Sequence, residues 1–223
     1  MEEHSEQFVL GLDLDGCVAD FYGRMREIAA EWTGRPKDDL VQEVSYGLSE
    51  WGLVDGEYER LHRFAVTQRD LFTTMAPVPG APQAIRRLGS EGVRIRIITH
   101  RLFIRHFHEV AVVQTVRWLD THAVPYWDLC LMRDKELVDA NVYVEDSPVN
   151  VQRLRDANKD VIVLENSTNR SVPDGPGNRA RSWVEAERII RGKYYAWLKD
   201  RGRPLPPKPG VPPPDVETGG IVV

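Results

Sequence analysis

Residues 8 to 20 read Phe-Val-Leu-Gly-Leu-Asp-Leu-Asp-Gly-Cys-Val-Ala-Asp, an apolar run that ends in two carboxylates and a glycine. The run over residues 8–12 predicts a strand that is buried on both faces, as in the middle of a parallel sheet. Such a strand delivers Asp13 and Asp15 to its carboxyl end, where open α/β sheets bind ligands. Gly16 can adopt a turn that other residues avoid. We therefore interpret this stretch as the start of a functional site.

Two simpler interpretations of Asp-Leu-Asp-Gly are a strand-to-helix turn with a capping aspartate and a calcium-binding loop. The spacing argues against the calcium loop, because Gly11 stands at its first ligand position and no Glu follows at the distance of the bidentate ligand. The capping turn stays open on these residues alone.

The composition favours a small charged metabolite as the ligand. The chain has 223 residues, of which 42% are hydrophobic, enough for one α/β domain with an insertion. Its net charge of −5 offers no footprint for a nucleic acid polymer. The two cysteines, Cys17 and Cys130, supply neither a disulfide framework nor a cysteine-rich zinc site. The acidic first residues resemble no signal peptide, and no run approaches the ~18 apolar residues of a membrane span, so we expect a cytoplasmic protein without a membrane partner.

Strand and helix patterns alternate along most of the chain, which predicts an α/β fold. We expect a doubly wound, Rossmann-like parallel sheet of about five strands with helices on both faces, and a small helical cap inserted after the first strand. Helical spacing covers residues 18–32, 81–88, 106–121, 149–157 and the segment after 181, with further helical pieces near 38–50 and 57–68, and strand patterns cover 93–99, 129–132, 142–144 and 161–164.

The same patterns suggest domain boundaries. The expected core comprises residues 7–20 and 76–200, and the more polar segment 21–75 forms the helical cap. Residues 201–223 are rich in proline and are expected to form a disordered tail.

Polar side chains follow several of the predicted strands. Thr99 ends one strand and Glu145-Asp146 ends another, and Lys135 stands between them. Each has a simpler explanation, as a helix cap, a first-turn acid pair or a solvated surface charge. Because the carboxyl ends of parallel strands meet at one edge of the sheet, their order together with Asp13 predicts one shared site.

These residues resemble the four motifs of the haloacid dehalogenase-like phosphotransferases, in the order Asp-Leu-Asp-Gly-Cys-Val-Ala-Asp, Ile-Thr-His-Arg, Lys135 and Val-Glu-Asp-Ser-Pro. The resemblance covers about residues 8 to 165. The Ala-Asp-Phe after the first motif, the inserted cap and the Pro-Val-Pro-Gly-Ala segment are most similar to the 5'(3')-deoxyribonucleotidases.

The resemblance implies a Mg²⁺-dependent phosphomonoesterase that acts on (deoxy)ribonucleoside monophosphates through an aspartyl-phosphate. It implies Asp13 as nucleophile and Asp15 as general acid and base. The metal would be bound by Asp13, the backbone carbonyl of Asp15, and Asp146, with Glu145 just outside. The implied phosphate ligands are Thr99, His100 and Lys135.

The chain departs from the family at two places. Glu145 stands where an aspartate is frequent, and His100-Arg101 follows Thr99 where a small residue and proline are common, which affects the phosphate loop. A zinc site of His100, His106 and His108 is disfavoured, because two residues two apart on a helix do not share a face.

The cap would choose the substrate, and Phe21, Trp51 and Phe72 are its candidate base-binding residues. Phe21 could equally be a core residue, and a core position is favoured for Trp51 and Phe72, because cap helices must also bury something. The partner would be a small phosphomonoester, and a homodimer stays open. The alternatives are a phosphatase of this superfamily for a sugar phosphate or biosynthetic intermediate, and a catalytically silent binding relative.

Overall fold

The protein is built on a six-stranded, wholly parallel sheet. The computed structural model describes residues 7–54, 56–102, 106–175 and 178–207. The strands lie side by side in the order β3-β2-β1-β4-β5-β6. Their bounds are β1 Val9–Leu12, β2 Arg94–Thr99, β3 Asp128–Leu131, β4 Val142–Glu145, β5 Val161–Leu164 and β6 Arg179–Ala180.

The position of β1 decides where a ligand can bind. Leu12 pairs with Ile97 of β2 on one side and with Val144 of β4 on the other. Between β1 and β4 the strand order reverses direction, and the crevice at such a switch point is where doubly wound folds bind ligands. The expectation of a doubly wound parallel sheet is confirmed. The sequence predicts about five strands, and the sixth, β6, has only two residues and is too short to show a pattern.

Helices cover both faces of the sheet. One face carries the main core, and the other carries a smaller cluster that includes Ile98, Tyr143 and Val151. The helices are α1 Phe21–Thr33, α2 Glu57–Gln68, α3 Leu71–Thr74, α4 Ala81–Ser90, α5 His108–Thr121, α6 Pro148–Asp156 and α7 Trp183–Asp200. No described helix combines the length and apolar character that crossing a bilayer requires.

Residues 21–75, which we call the cap, contain α1, α2 and α3 and lie between β1 and α4. Only short 3₁₀ helices, Lys37–Asp39 and Ser49–Trp51, occur where the sequence predicted helical structure near 38–50. Gly47 and Leu48 both have positive φ, of 102° and 63°, which ends regular structure there. The division into cap and core remains our proposal.

Helix α7 braces the core against the turn that follows β1. Its Glu187 forms an ion pair with Arg87 of α4 at 2.6 Å, and the Trp183 indole donates a hydrogen bond to the Cys17 carbonyl at 2.8 Å. Residues 201–207 continue from α7, and the remainder of the predicted disordered tail lies outside the described residues.

Candidate active site

The turn after β1 is tightly wound and pressed against Asp146. The Leu14 carbonyl accepts hydrogen bonds from the amides of Val18 and Ala19, both at 2.8 Å. Gly16 has φ +83°, and a Cβ atom there would lie 2.1 Å from Oδ2 of Asp146. Only glycine fits, since a side chain would meet both backbone strain and a carboxylate.

A buried ion-pair cluster joins the ends of β1 and β4. Lys135, from the 3₁₀ helix Lys135–Leu137, places its Nζ 2.7 Å from Asp13 Oδ1 and 2.6 Å from Glu145 Oε2. The other Glu145 oxygen accepts the amides of Asp146 and Ser147. Glu145 thus reaches Lys135 with one oxygen and the backbone with the other.

The charges of this cluster are not balanced by the protein. Burial, followed by the neighbouring Glu145, raises the pKa of Asp13 to about 7, against the lowering influence of Lys135. Burial and the other two acids also raise the pKa of Asp146. Burial alone would lower the pKa of Lys135, but Asp13 and Glu145 outweigh it and raise that pKa. The cluster contains three buried carboxylates, of Asp13, Glu145 and Asp146, and one buried ammonium, of Lys135. A further cation would therefore be bound favourably here.

The donor atoms fit a divalent ion. Ligand atoms of Asp13, Cys17 and Asp146 all lie within 4.8 Å of one another. Burial and the nearby Asp146 hold the pKa of the Cys17 thiol well above its usual range, so the ionised donors here are carboxylate oxygens. Oxygen donors suit Mg²⁺. Within the described ranges, His100, His106 and His108 form no comparable group of ligand atoms.

The loop after β5 orients Asp146, and the sequence did not reveal it. Asn166 donates from Nδ2 to Asp146 Oδ2 at 2.7 Å, and Asn169 donates to the Asp146 carbonyl at 2.9 Å. The Tyr22 hydroxyl lies 3.4 Å from the same Oδ2. The only available signal was the position of Asn166 just after a predicted strand.

Two buried hydroxyls face the same cavity. Thr99 Oγ1 and Ser147 Oγ are buried and have no hydrogen-bond partner within the described part of the chain. A buried hydroxyl without a partner suits a ligand that accepts its hydrogen bond. His100 also lines the cavity, and burial, with Arg133 and Lys135 nearby, lowers its pKa.

Asp15 is held by Arg101, a residue that in sequence is notable only because it differs from the family pattern after Thr99. Arg101 donates from Nη2 to Asp15 Oδ1 at 2.7 Å and from Nε to Oδ2 at 3.0 Å. The Asp15 side chain keeps 25% of its surface exposed, whereas that of Arg101 is fully buried.

The three candidate cap residues occupy different places. Phe21 lines the cavity, and its ring stacks on His62 with 5.9 Å between centroids. Phe72 is buried and contacts His62 and the Arg101 guanidinium instead. Trp51 is buried in the cap with its indole bonded to the Val41 carbonyl, so the structure does not support it as a substrate contact. The Trp51 side chain fills the interior of this irregular part of the cap.

The cavity between sheet edge and cap has a volume of about 380 Å³. Its floor is acidic and its cap side is largely aromatic. Burial lowers the pKa of His62 to about 4, so the imidazole is neutral at neutral pH. The lining includes Asp13, Asp15, Thr99, Lys135 and Asp146 on the core side and Phe21, Tyr46, Tyr58 and His62 on the cap side.

Solved structures share this architecture. A haloacid dehalogenase-like family hydrolase from Streptococcus pneumoniae matches with a TM-score of 0.55 at 11% identity, covering 82% of this chain and 97% of that one. A β-phosphoglucomutase from Clostridium difficile matches with a TM-score of 0.50 at 14% identity, covering 86% and 99%. The fold is therefore that of the haloacid dehalogenase-like hydrolases.

The sequence comparisons define the family. The chain is a phosphomonoester hydrolase of the haloacid dehalogenase-like superfamily. It belongs to the family described as 5' nucleotidase, deoxy (pyrimidine), cytosolic type C protein, whose sequence profile matches residues 7–195.

Related proteins carry a consistent name. A protein of Chlorobaculum tepidum, provisionally named 5'(3')-deoxyribonucleotidase, is 55% identical over 184 residues, which cover 82% of this chain and 90% of the relative. A Bordetella pertussis protein with the same provisional name is 26% identical, over 82% of this chain and 96% of its own length.

Proposed function

We propose that this protein is a Mg²⁺-dependent phosphatase that removes phosphate from (deoxy)ribonucleoside monophosphates through an aspartyl-phosphate on Asp13. The observation that carries the proposal is the gathering of Asp13, Asp146 and Lys135 into one buried cluster below a cavity whose cap side is aromatic. The provisional names of the relatives support the substrate class.

The metal would be held by the carboxylates of Asp13 and Asp146, and by the Asp15 carbonyl as the resemblance implies. When bound, Mg²⁺ neutralises the buried acids and the phosphate dianion, which would otherwise repel each other. Its fit rests on the excess of buried carboxylates over the single Lys135.

The side chains supply the remaining steps. Asp13 attacks phosphorus in line, the bond to the ester oxygen breaks, and Asp15 delivers its proton to that oxygen. Asp15 then takes a proton from the water that cleaves the aspartyl-phosphate. Lys135 uses two of its three N–H donors on Asp13 and Glu145 and keeps the third for a phosphoryl oxygen. The Thr99 hydroxyl can donate to another phosphoryl oxygen.

The cap side of the cavity suits a flat ring. Phe21 reaches it from α1, and Tyr46, Tyr58 and the neutral His62 add aromatic surface. Stacking of a base on an aromatic side chain contributes about 1–3 kcal/mol. A nucleotide should therefore bind better than a sugar phosphate that lacks the base.

A substrate panel tests the proposal. Chelator-treated protein would be assayed with and without Mg²⁺ on 5' and 3' (deoxy)nucleoside monophosphates, and on deoxyribose 5-phosphate as the base-free analogue. We expect phosphate release only with Mg²⁺ and a kcat/KM about tenfold higher for nucleotides. Equal or higher values for base-free sugar phosphates would contradict the nucleotide assignment.

Phe21→Ala sharpens the same test. It should lower kcat/KM for nucleotides by about tenfold and leave that for deoxyribose 5-phosphate nearly unchanged. Phe64→Ala is the matched control, because Phe64 packs against Trp32 in the cap and is not among the cavity residues. If both variants lose activity alike, the ring of Phe21 supports the cap and does not bind the base.

A further inference from the structure

Asp15 is gripped by a guanidinium in a two-point arrangement. Nη2 and Nε of Arg101 each donate to a different oxygen of the Asp15 carboxylate, at 2.7 and 3.0 Å. A planar fork on a planar carboxylate fixes its rotation as well as its position. Each carboxylate oxygen retains a second lone pair, and part of the side chain faces the cavity.

Arg101 is itself anchored on the side away from Asp15. Its side chain is fully buried, and Nη1 donates to Thr115 Oγ1 of α5 at 3.1 Å. Thr115 Oγ1 donates in turn to the Ala111 carbonyl at 2.7 Å, so the acceptor is fixed within its helix. The guanidinium carbon lies 4.3 Å from the centroid of the Phe72 ring. Arg101 is thus held by α5 and α3, which both lie outside the turn after β1.

We propose that Arg101 is a positioning residue for the reaction, holding the Asp15 carboxyl group where it exchanges a proton with the leaving ester oxygen and then with water. The inference rests on the proposed function, since it assigns Asp15 the proton transfers of that reaction. Arg101 contacts neither the phosphate nor Asp13 in this role.

In the first half-reaction an Asp13 oxygen forms a bond to phosphorus, the phosphorus–ester oxygen bond breaks with its electron pair on the ester oxygen, and Asp15 gives that oxygen a proton. In the second, a water oxygen bonds to phosphorus, its proton goes to Asp15, and the phosphorus–Asp13 bond breaks. Arg101 stays protonated throughout, because a guanidinium is not deprotonated in proteins.

A purely structural ion pair would behave differently from a positioning residue. Loss of a structural pair lowers stability and reduces activity by the same factor on every substrate. Loss of a positioning residue for the proton donor matters most where the leaving group needs a proton. A nucleoside alkoxide needs one, whereas p-nitrophenolate leaves without help.

The experiment compares thymidine 5'-monophosphate with p-nitrophenyl phosphate for the full chain and for Arg101→Met, in the presence of Mg²⁺. The ratio kcat/KM reports the steps up to release of the leaving group. We expect Arg101→Met to lower kcat/KM for the nucleotide by about 10²-fold and for the aryl phosphate by less than about threefold. Because Asp15 also serves the second half-reaction, kcat should fall on both substrates.

Two further variants guard against a general loss of structure. Arg101→Lys keeps the charge without the fork and should recover only part of the nucleotide activity. Thr115→Val removes one anchor of Arg101 without touching Asp15, and should reproduce the selective loss at about three- to tenfold. If Arg101→Met does not fold, either of these variants can still show whether the loss of kcat/KM is selective for the nucleotide.

A double-mutant cycle completes the test. If Arg101 acts through Asp15, adding Arg101→Met to Asp15→Asn should change kcat/KM for the nucleotide by less than about twofold. Wild-type protein that hydrolyses neither substrate would overturn the proposed function, and this inference with it. If the wild-type protein is active but the Arg101 variants lose kcat/KM equally on both substrates, or if the effects of Arg101→Met and Asp15→Asn on kcat/KM add fully, the role of Arg101 alone is overturned.

Discussion

At the scale of single residues, the buried acids around Lys135 define what the site can do. Asp13 combines burial, contact with Lys135 and a place at the end of β1, and its pKa is raised to about 7 mainly by burial and by Glu145. In its proposed role as nucleophile Asp13 would contribute to the chemistry, whereas its charge repels the neighbouring acids in the resting protein. Activity and stability should therefore respond differently when its charge is removed.

Asp13→Asn tests this separation. We expect phosphate release to fall by at least about 10³-fold, because an amide does not replace the carboxylate nucleophile. The melting temperature without Mg²⁺ should stay equal or rise, since one of three crowded acids has lost its charge. Phosphate-release assays and thermal unfolding measure the two effects, and appreciable residual turnover would remove Asp13 from the proposed role.

Asn166 offers a test of how Asp146, the proposed metal ligand, is held. Its Nδ2 lies 2.7 Å from Asp146 Oδ2. Loss of such an outer partner typically costs 10- to 100-fold in metal affinity. Asn166→Ala should weaken Mg²⁺ binding, measured by calorimetric titration, by about that factor. Asn178→Ala is the control, because Asn178 bonds to Asp160 away from the site, and equal effects of both variants would refute the assignment.

Some residues of the site can be predicted from the sequence and others cannot. The proximity of Asp13, Asp146 and Lys135 is predictable, because each follows or lies between strands of one parallel sheet. Arg101 and Asn166 were not assigned, since their partners depend on how loops fold back over the strand ends. For Trp51 a core position was already favoured over a base-binding one, and the residue is buried in the cap interior.

At the scale of elements, α7 reaches the turn after β1 from outside the sheet. Trp183 is 1% exposed and donates its indole hydrogen to the Cys17 carbonyl, between the turn's acids and α1. Trp183→Phe would leave that buried carbonyl without its donor. The cost should be about 1–3 kcal/mol in the free energy of unfolding.

The same change should reach the chemistry. A small shift of the turn misplaces Asp13 and Asp15, so kcat should fall by more than about fivefold. Trp197→Phe is the matched control on α7, because the Trp197 ring packs on Phe8 and Tyr194. Denaturant unfolding and steady-state kinetics provide the readouts, and unchanged kcat in Trp183→Phe would show that the turn holds its shape unaided.

The predicted helix boundaries agree with the structure where the helical pattern extends over many residues. Helix α1, whose spacing covers residues 18–32, was expected to start from Asp20; it spans Phe21–Thr33, and Asp20 caps it by accepting the Gly23 amide. The region near 38–50 departed furthest from its predicted helix. There, glycines and a left-handed Leu48 outweighed a weak helical pattern.

At the scale of the whole molecule, the strand order converts distant segments into one site. The doubly wound sheet follows from alternating strand and helix patterns, so the meeting of β1 and β4 at its centre could be anticipated. The packing of the cap could not be anticipated, because its short irregular segments carry little periodic signal.

The fold concentrates negative charge where β1 and β4 meet, and this charge affects the stability of the whole protein. The result is a pH dependence that Mg²⁺ should counteract. The folded-state pKa of Asp13, about 7, lies above its usual value, and that of Asp146 is raised as well. Between about pH 4 and 7 the folded protein then binds more protons than the unfolded chain, so the contribution of these acids to stability is lost as the pH rises through that window. In the proposed site Mg²⁺ binds the ionised carboxylates, so it should stabilise the protein more at pH 8 than at pH 5.

The expected size of the effect makes it measurable by thermal unfolding. Mg²⁺ at about 100 times its dissociation constant stabilises by about 2.7 kcal/mol, which corresponds to roughly 5–10 °C for a chain of this length. We predict a rise of that order at pH 8 and a clearly smaller one at pH 5, against NaCl of equal ionic strength. Asp146→Asn should abolish the Mg²⁺-dependent rise at both pH values, since it removes a proposed carboxylate ligand. A rise that is equal at pH 5 and pH 8, or that survives in Asp146→Asn, would mean that the ion stabilises the protein elsewhere than at the junction of β1 and β4.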